Sequence, residues 1–271
     1  MRRSVTTNGL AALERQLSER DWQILRYVSD LRFVSGRQIA RLCFPDAGDM
    51  ASRQARQACL RLTRLDVLAR LPRPVGGARA GSAGYVYYVG LVGQRLAIRR
   101  RWKPAHRVRR PREPGTLFQA HTLLVAELHV LIREADRTDR LELLQLAGEP
   151  SCHRIYRGVN GQQKLLKPDS YLRVGAGAFE DSYFVEVDRG SEGSWAIAQQ
   201  LGRYIAAREG GLEQGEHGAF PRVVWLTERP ERVAAIEECV AKLRIDEQPL
   251  FVVLAFEDAV RYFAETARAP P

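Results

Sequence analysis

The chain has 271 residues and a formal net charge of +10, with 45% hydrophobic and 27% charged residues. No apolar run approaches the ~20 residues of a membrane-spanning helix and no leader-like apolar segment opens the chain, so a cytoplasmic protein with no membrane partner is expected. Cys43, Cys59, Cys152 and Cys239 form no CxxC pair, which argues against a disulfide framework or a zinc site and leaves them as small buried apolar residues.

The charge is unevenly placed. Residues 1–114 hold 24 Lys and Arg against 8 Asp and Glu, whereas residues 115–271 hold 18 against 24. A basic front half predicts contact with a polyanion, most simply nucleic acid, and a separate task for the acidic back half.

After a short basic tail ending near Leu10, the first expected helix runs from Ser18 to Leu31. Ser18 is placed to cap it, and Glu19 and Asp21 sit in the first turn where the helix dipole favours acids. Phe33-Val34-Ser35 reads as a linker ending in a second cap, followed by a brief helix from Gly36 to Cys43. A third helix, Ala51 to Leu65, divides cleanly at helical spacing. Ala55, Ala58, Cys59, Leu62 and Leu65 share one arc, while Arg53, Arg56, Gln57, Arg61 and Arg64 fall on the other. VLARL (67–71), a Pro/Gly/Arg-rich tip carrying Arg73 and Arg79, and YVYYVGL (85–91) then read as a β-hairpin. Three helices and a hairpin make the winged form of helix-turn-helix, whose third helix enters the major groove and whose basic tip reaches backbone or minor groove. Double-stranded DNA is the expected partner of residues 1–93, a protein-binding module being the blander use of the same architecture.

Residues 94–114 are expected to be an extended linker, because runs of like charge repel and proline interrupts helices. Its Arg99, Arg100 and Arg101, with Lys103, Arg107, Arg109, Arg110 and Arg112, would add phosphate contacts. Residues 115–271 form the expected second domain. It starts with a long helix to Ala135, continues through LELLQLAG and HRIYRGV as strands, and ends with helices from Ser194 and Glu231 alternating with the strands RVVWL and PLFVVLAF. That order predicts a mixed sheet covered by helices, and an α+β chain overall.

The chemistry of this half is concentrated between Leu165 and Arg189. Pro168-Asp169 opens the strand SYLRV, and SYFVEVDR carries Glu186 and Asp188 two residues apart and therefore on one face. Three acids brought to one sheet end need a cation or positive side chains, so the arrangement suits either a Mg²⁺ site or an ion-paired network. Alternatively Asp169 caps a turn and the other two face water.

KPDSYLRV followed by YFVEVDR resembles the PD-(D/E)xK nuclease-like fold. SERDWQILRYVSDLRFVSGRQIARLCF, YVYYVGLVGQRLA, FQAHTLLVAEL, EVDRGSE and the helix ending LGRYI resemble the replication-relaxation family of plasmid and mobile-element proteins, from about Leu17 to Leu254. The resemblance implies metal-binding acids at Asp169 and Glu186, with Glu127 as a further metal ligand and Gln199 or Gln200 and Arg203 near the site. The nuclease pattern's lysine position is held by Asp188, which cannot supply its positive charge. The implied function is therefore a DNA-binding factor of plasmid or mobile-element replication or transfer, partnered by a relaxase or replication protein, its nuclease-like domain non-catalytic. The alternative is a Mg²⁺-dependent endonuclease using Asp169, Glu186, Asp188 and Gln200.

Other motifs carry less. His121 and His129 share a helix face without a third ligand in view, Ser151-Cys152-His153 lacks a triad context, and neither GxGxxG nor GxxxxGK[ST] occurs.

Overall fold

The computed structural model describes residues 7–71, 84–102, 108, 115–158, 160–176 and 179–266. Within them the chain is mixed α/β, with ten α-helices and a mixed five-stranded sheet. It divides into two compact units, Met1–Val130 and Leu131–Pro271.

The first unit begins with α1 (Thr7–Gln16), where the sequence suggested only a basic tail. Helix α2 (Glu19–Leu31) starts at a reciprocal cap: the Ser18 side chain accepts from the backbone of Asp21, and Asp21 accepts from the backbone of Ser18 at 2.9 Å. Ser35 and Gln38 repeat the device at α3 (Gly36–Cys43). Each cap satisfies amides that would otherwise lack partners at a helix end, a contribution of about 1 kcal/mol. Val34–Ser35, expected to be a linker, forms the short strand β1.

Helix α4 (Ala51–Arg64) follows two short 3₁₀ turns within Pro45–Met50, separated by a kink at Gly48, where φ is +50°. Its buried residues are Ala55, Cys59 and Leu62, the spacing expected for one packed face. They join Ile24, Leu25, Val28 and Ile39 in a common core, where each large aliphatic side chain contributes about 1.5–3 kcal/mol by leaving water. Strands β2 (Leu68–Arg70) and β3 (Val86–Val89) pair antiparallel, and β1 adds to the other side of β3, giving the order β1-β3-β2. Arg73 and Arg79 in the tip between them lie outside the described residues.

The stretch expected to open a linker at Gln94 is instead helical through Arg99, in α5 (Leu91–Arg99). Val92, Leu96 and Ala97 bury one face of it, and the arginine repulsion is relieved locally. Arg99 pairs with Glu14 at 2.7 Å and the Arg100 guanidinium lies over the Trp22 ring at 4.2 Å. Lys103, Arg107, Arg109, Arg110 and Arg112 fall outside the described residues. The first unit is completed by the N-terminal part of α6 (Thr116–Arg137), where Gln38 donates to the Leu123 carbonyl at 2.9 Å.

The second unit is organised on the sheet β10-β9-β8-β7-β4. Strands β4 (Glu142–Gly148), β7 (Ser170–Ala176) and β8 (Phe179–Asp188) are antiparallel neighbours. Strands β9 (Arg222–Thr227) and β10 (Phe251–Ala255) continue from β8 in parallel. The two parallel steps require crossovers, supplied by α7 (Ser194–Glu209) with α8 (Leu212–His217) and by α9 (Pro230–Ala241). Phe184, Val223, Trp225 and Phe251 of the sheet pack with Ile197, Leu201, Tyr204 and Ile236 of these helices. A separate hairpin, β5 (Arg154–Arg157) with β6 (Gln163–Leu166), joins this core through Tyr156 and Leu166. Helix α10 (Ala259–Thr266) packs against Tyr183, whose ring lies 5.0 Å from that of Phe263. All four cysteines are free and buried, as expected.

Candidate functional site

Two groups of polar side chains stand out, one in each unit. In the first unit, packing Ala55, Cys59 and Leu62 inward leaves Arg53, Arg56, Gln57 and Arg64 of α4 exposed. Arg61, expected with them, is tied down: its Nη2 lies 2.5 Å from Oδ1 of the buried Asp21. Its carboxylate partner on α2 needs that cation, so Arg61 serves the fold before any ligand. Beside the exposed face lies a cleft of about 490 Å³ lined by Gly36, Arg37, Ser52, Arg56, Gly84, Tyr85 and Tyr87. The Gly36 amide donates to the Tyr85 carbonyl at 2.9 Å, fixing the start of α3 to the approach of β3. Arg70 stacks over the Tyr85 ring at 4.4 Å. Burial pushes the Tyr87 phenol up to about 12, with Arg70 and Arg56 pulling the other way. Tyr87 therefore keeps its proton at neutral pH and remains a donor.

In the second unit, period-two alternation along β8 puts Phe184, Glu186 and Asp188 on the face covered by α7 and α9. Glu186 is buried, and Tyr204 donates its hydroxyl proton to Oε1 of the carboxylate in a short hydrogen bond. Gln200, one helical turn earlier, lies close enough to Glu186 to favour its charged form. Burial raises the Glu186 pKa well above the ordinary carboxylate value, and the charge of Asp169 raises it further, against these two donors. The Tyr204 phenol is pushed up as well, first by burial and then by Glu186. Asp169, immediately before β7, accepts from the Val187 amide at 2.8 Å, one residue from Glu186.

Asp188 has a different environment. Arg232 of α9 engages both its oxygens, at 2.7 and 3.1 Å, and Asp188 also accepts from the Gly190 amide at 3.0 Å. Gly190 has φ +78°, a left-handed turn that favours glycine. The glycine of EVDRGSE thus folds back onto the preceding acid.

The three acids of the sequence reading are accordingly near one another in chain and sheet, but each is committed to its own protein donors. Among the described residues no three His, Cys, Asp or Glu side chains are arranged to hold a metal. Glu127 belongs to the first unit, where its carboxylate is held by Arg41 and by Gln38 at 3.0 Å. Gln200 lies beside Glu186, whereas Gln199 and Arg203 are exposed on α7.

The family model for replication-relaxation proteins matches residues 25–223. The chain belongs to the replication-relaxation family. No curated protein and no solved structure matches it. In this replication-relaxation protein the matched span runs from α2 into β9 and includes α4, Asp169, Glu186, Asp188 and Tyr204. Membership suggests a role in replication or relaxation. Among the described residues no helix is long and apolar enough to cross a membrane.

Sequence reasoning missed Tyr204, Arg232 and Arg37. Tyr204 follows Gln200 by four residues and so shares its helix face, a signal that was available. Arg232 lies 44 residues from Asp188, and no local pattern connects the two.

Proposed function

We propose that this replication-relaxation protein is a DNA-binding factor in the replication or transfer of a plasmid or mobile element. Its first unit acts as a winged helix that lays α4 in the major groove, and its second is a nuclease-like domain that does not cut. The observation carrying the first part is the split of α4, which buries Ala55, Cys59 and Leu62 and leaves Arg53, Arg56, Gln57 and Arg64 facing solvent. The order of α2, α3 and α4 followed by a three-stranded antiparallel sheet supports the same reading. Arg99, Arg100 and Arg101 are exposed and add positive charge that a phosphate backbone would neutralise. A relaxase or replication protein is the proposed protein partner.

The non-catalytic reading of the second unit is supported by how its acids are occupied. Asp188 takes Arg232, and Glu186 is buried against Tyr204 and Gln200 in the form that favours a proton. With these acids held by protein donors, and with no three His, Cys, Asp or Glu side chains grouped among the described residues, the arrangement does not fit a preformed Mg²⁺ site. The endonuclease reading draws on the proximity of Asp169 to Glu186 across β7 and β8. It requires Glu186 to ionise and exchange its partners.

Titration of fluorescent duplex DNA with the intact chain tests the proposal. Binding that weakens steeply with salt is expected, and no binding at low salt would overturn it.

A further inference from the structure

We propose that the cleft lined by Arg37, Ser52, Arg56, Tyr85 and Tyr87 is a seat for one backbone phosphate of duplex DNA, anchoring the first unit on a strand without reading a base. The inference rests on the DNA-binding reading above and assigns a separate task to residues that the sequence left out or grouped with groove readers.

The chemistry of the lining decides the ligand class. Two guanidinium groups and three hydroxyls face or border the cleft, and no carboxylate or side-chain amide is among its lining residues. Guanidinium groups only donate, and hydroxyls can turn their protons toward an acceptor. A base edge in the major groove presents donors and acceptors in a pattern, so reading one calls for side chains that complement both. A phosphate presents acceptors alone and carries a negative charge, which matches a donor-rich, acid-free hollow.

The parts of the cleft are also held in place. Tyr87 is 5% exposed and keeps its phenolic proton, so it offers a fixed donor at neutral pH. Arg70 packs on the outer Tyr85 ring, and the Gly36 amide bond to the Tyr85 carbonyl joins the two sides of the hollow. Arg37, Arg56 and Ser52 are exposed and remain to close on a ligand. The volume of about 490 Å³ exceeds a lone phosphate and admits the sugars on either side of it. Gln57, next in sequence to Arg56 but not among the lining residues, is left to face the bases.

The test measures duplex affinity against salt concentration for the intact chain, Arg37→Gln, Arg56→Gln and Gln57→Ala, on AT-rich and GC-rich duplexes. Arg37 and Arg56 are exposed, so folding should survive, and thermal melting checks it. Each arginine variant is expected to lower the slope of log affinity against log salt by about 0.9, with the same fold-loss on both duplexes. Gln57→Ala is expected to keep the slope and change the ratio between duplexes. If the wild-type chain binds but Arg37→Gln and Arg56→Gln keep its slope, the phosphate seat is wrong and the DNA reading stands. If the wild-type chain binds no duplex, both fall. Inorganic phosphate, titrated calorimetrically, separates the remaining source of the same chemistry: binding lost in Arg37→Gln with the duplex slope unchanged would assign the cleft to a free oxyanion and overturn the proposal.

Discussion

Arg232 on α9 grips Asp188 at the end of β8 through both carboxylate oxygens, and the same guanidinium donates to the Glu192 carbonyl at 2.6 Å. Asp188 is therefore an anchor for the Arg189–Gly193 turn. Asp188 is 6% exposed, so removing its partner strands a charge away from water. Arg232→Ala is expected to destabilise the chain by about 3–5 kcal/mol in urea denaturation. Adding Asp188→Asn should recover part of that loss, and a double-mutant cycle without coupling would show that the pair does not act as described.

Glu186 sets a pH dependence of opposite sign from that of a surface carboxylate. Its folded pKa is raised above the ordinary value of 4.5 by burial and by Asp169. A raised value means that its contribution to stability is present in full below the unfolded pKa and is lost as pH rises through the folded one. Relative to Glu186→Gln, which keeps a neutral side chain at every pH, the wild-type chain is expected to lose stability as pH rises above the ordinary carboxylate value. Denaturation midpoints that run parallel for the two proteins would contradict this.

Two glycines make opposite predictions from the same substitution. A Cβ at Gly93 in α5 would sit 2.1 Å from the Val67 carbonyl oxygen and 2.9 Å from Val89 Cγ1, so the helix would have to lift away from Val67 and the end of β3. Gly93→Ala should cost about 1–3 kcal/mol in thermal melting. At Gly202, inside α7, nothing lies within 4 Å, and Gly202→Ala should stabilise by about 0.5–1 kcal/mol through helix propensity.

The non-catalytic account of the second unit is checked with supercoiled plasmid, Mg²⁺ or Mn²⁺, and Glu186→Ala as control. No metal-dependent nicking is expected from the wild-type chain even at high concentration. Nicking that disappears in Glu186→Ala would establish the endonuclease reading instead.

What could be read in advance was whatever is written locally. Ser18 and Ser35 stand just before their helices and cap them as that position implied, though their reciprocal partners Asp21 and Gln38 were not foreseen. The two faces of α4 and the alternation of Glu186 and Asp188 likewise follow from helix and strand periods alone. Side chains joined across long stretches were not legible. Arg61 looks like its neighbours in sequence, yet it belongs to Asp21, 40 residues away; Asp188 looks like a free acid, yet it belongs to Arg232. Helix α5 was hidden by its own arginines, because Glu14 and Trp22, which offset their repulsion, lie in the preceding helices.

The claim on which the account depends is that α4 presents its arginines to duplex DNA. Arg53→Ala combined with Arg56→Ala, measured by gel-shift titration at moderate salt, is expected to weaken binding more than about ten-fold while the melting temperature holds, since one groove contact and one phosphate contact are lost together. A doubly substituted chain that binds duplex DNA as tightly as the wild type would contradict it.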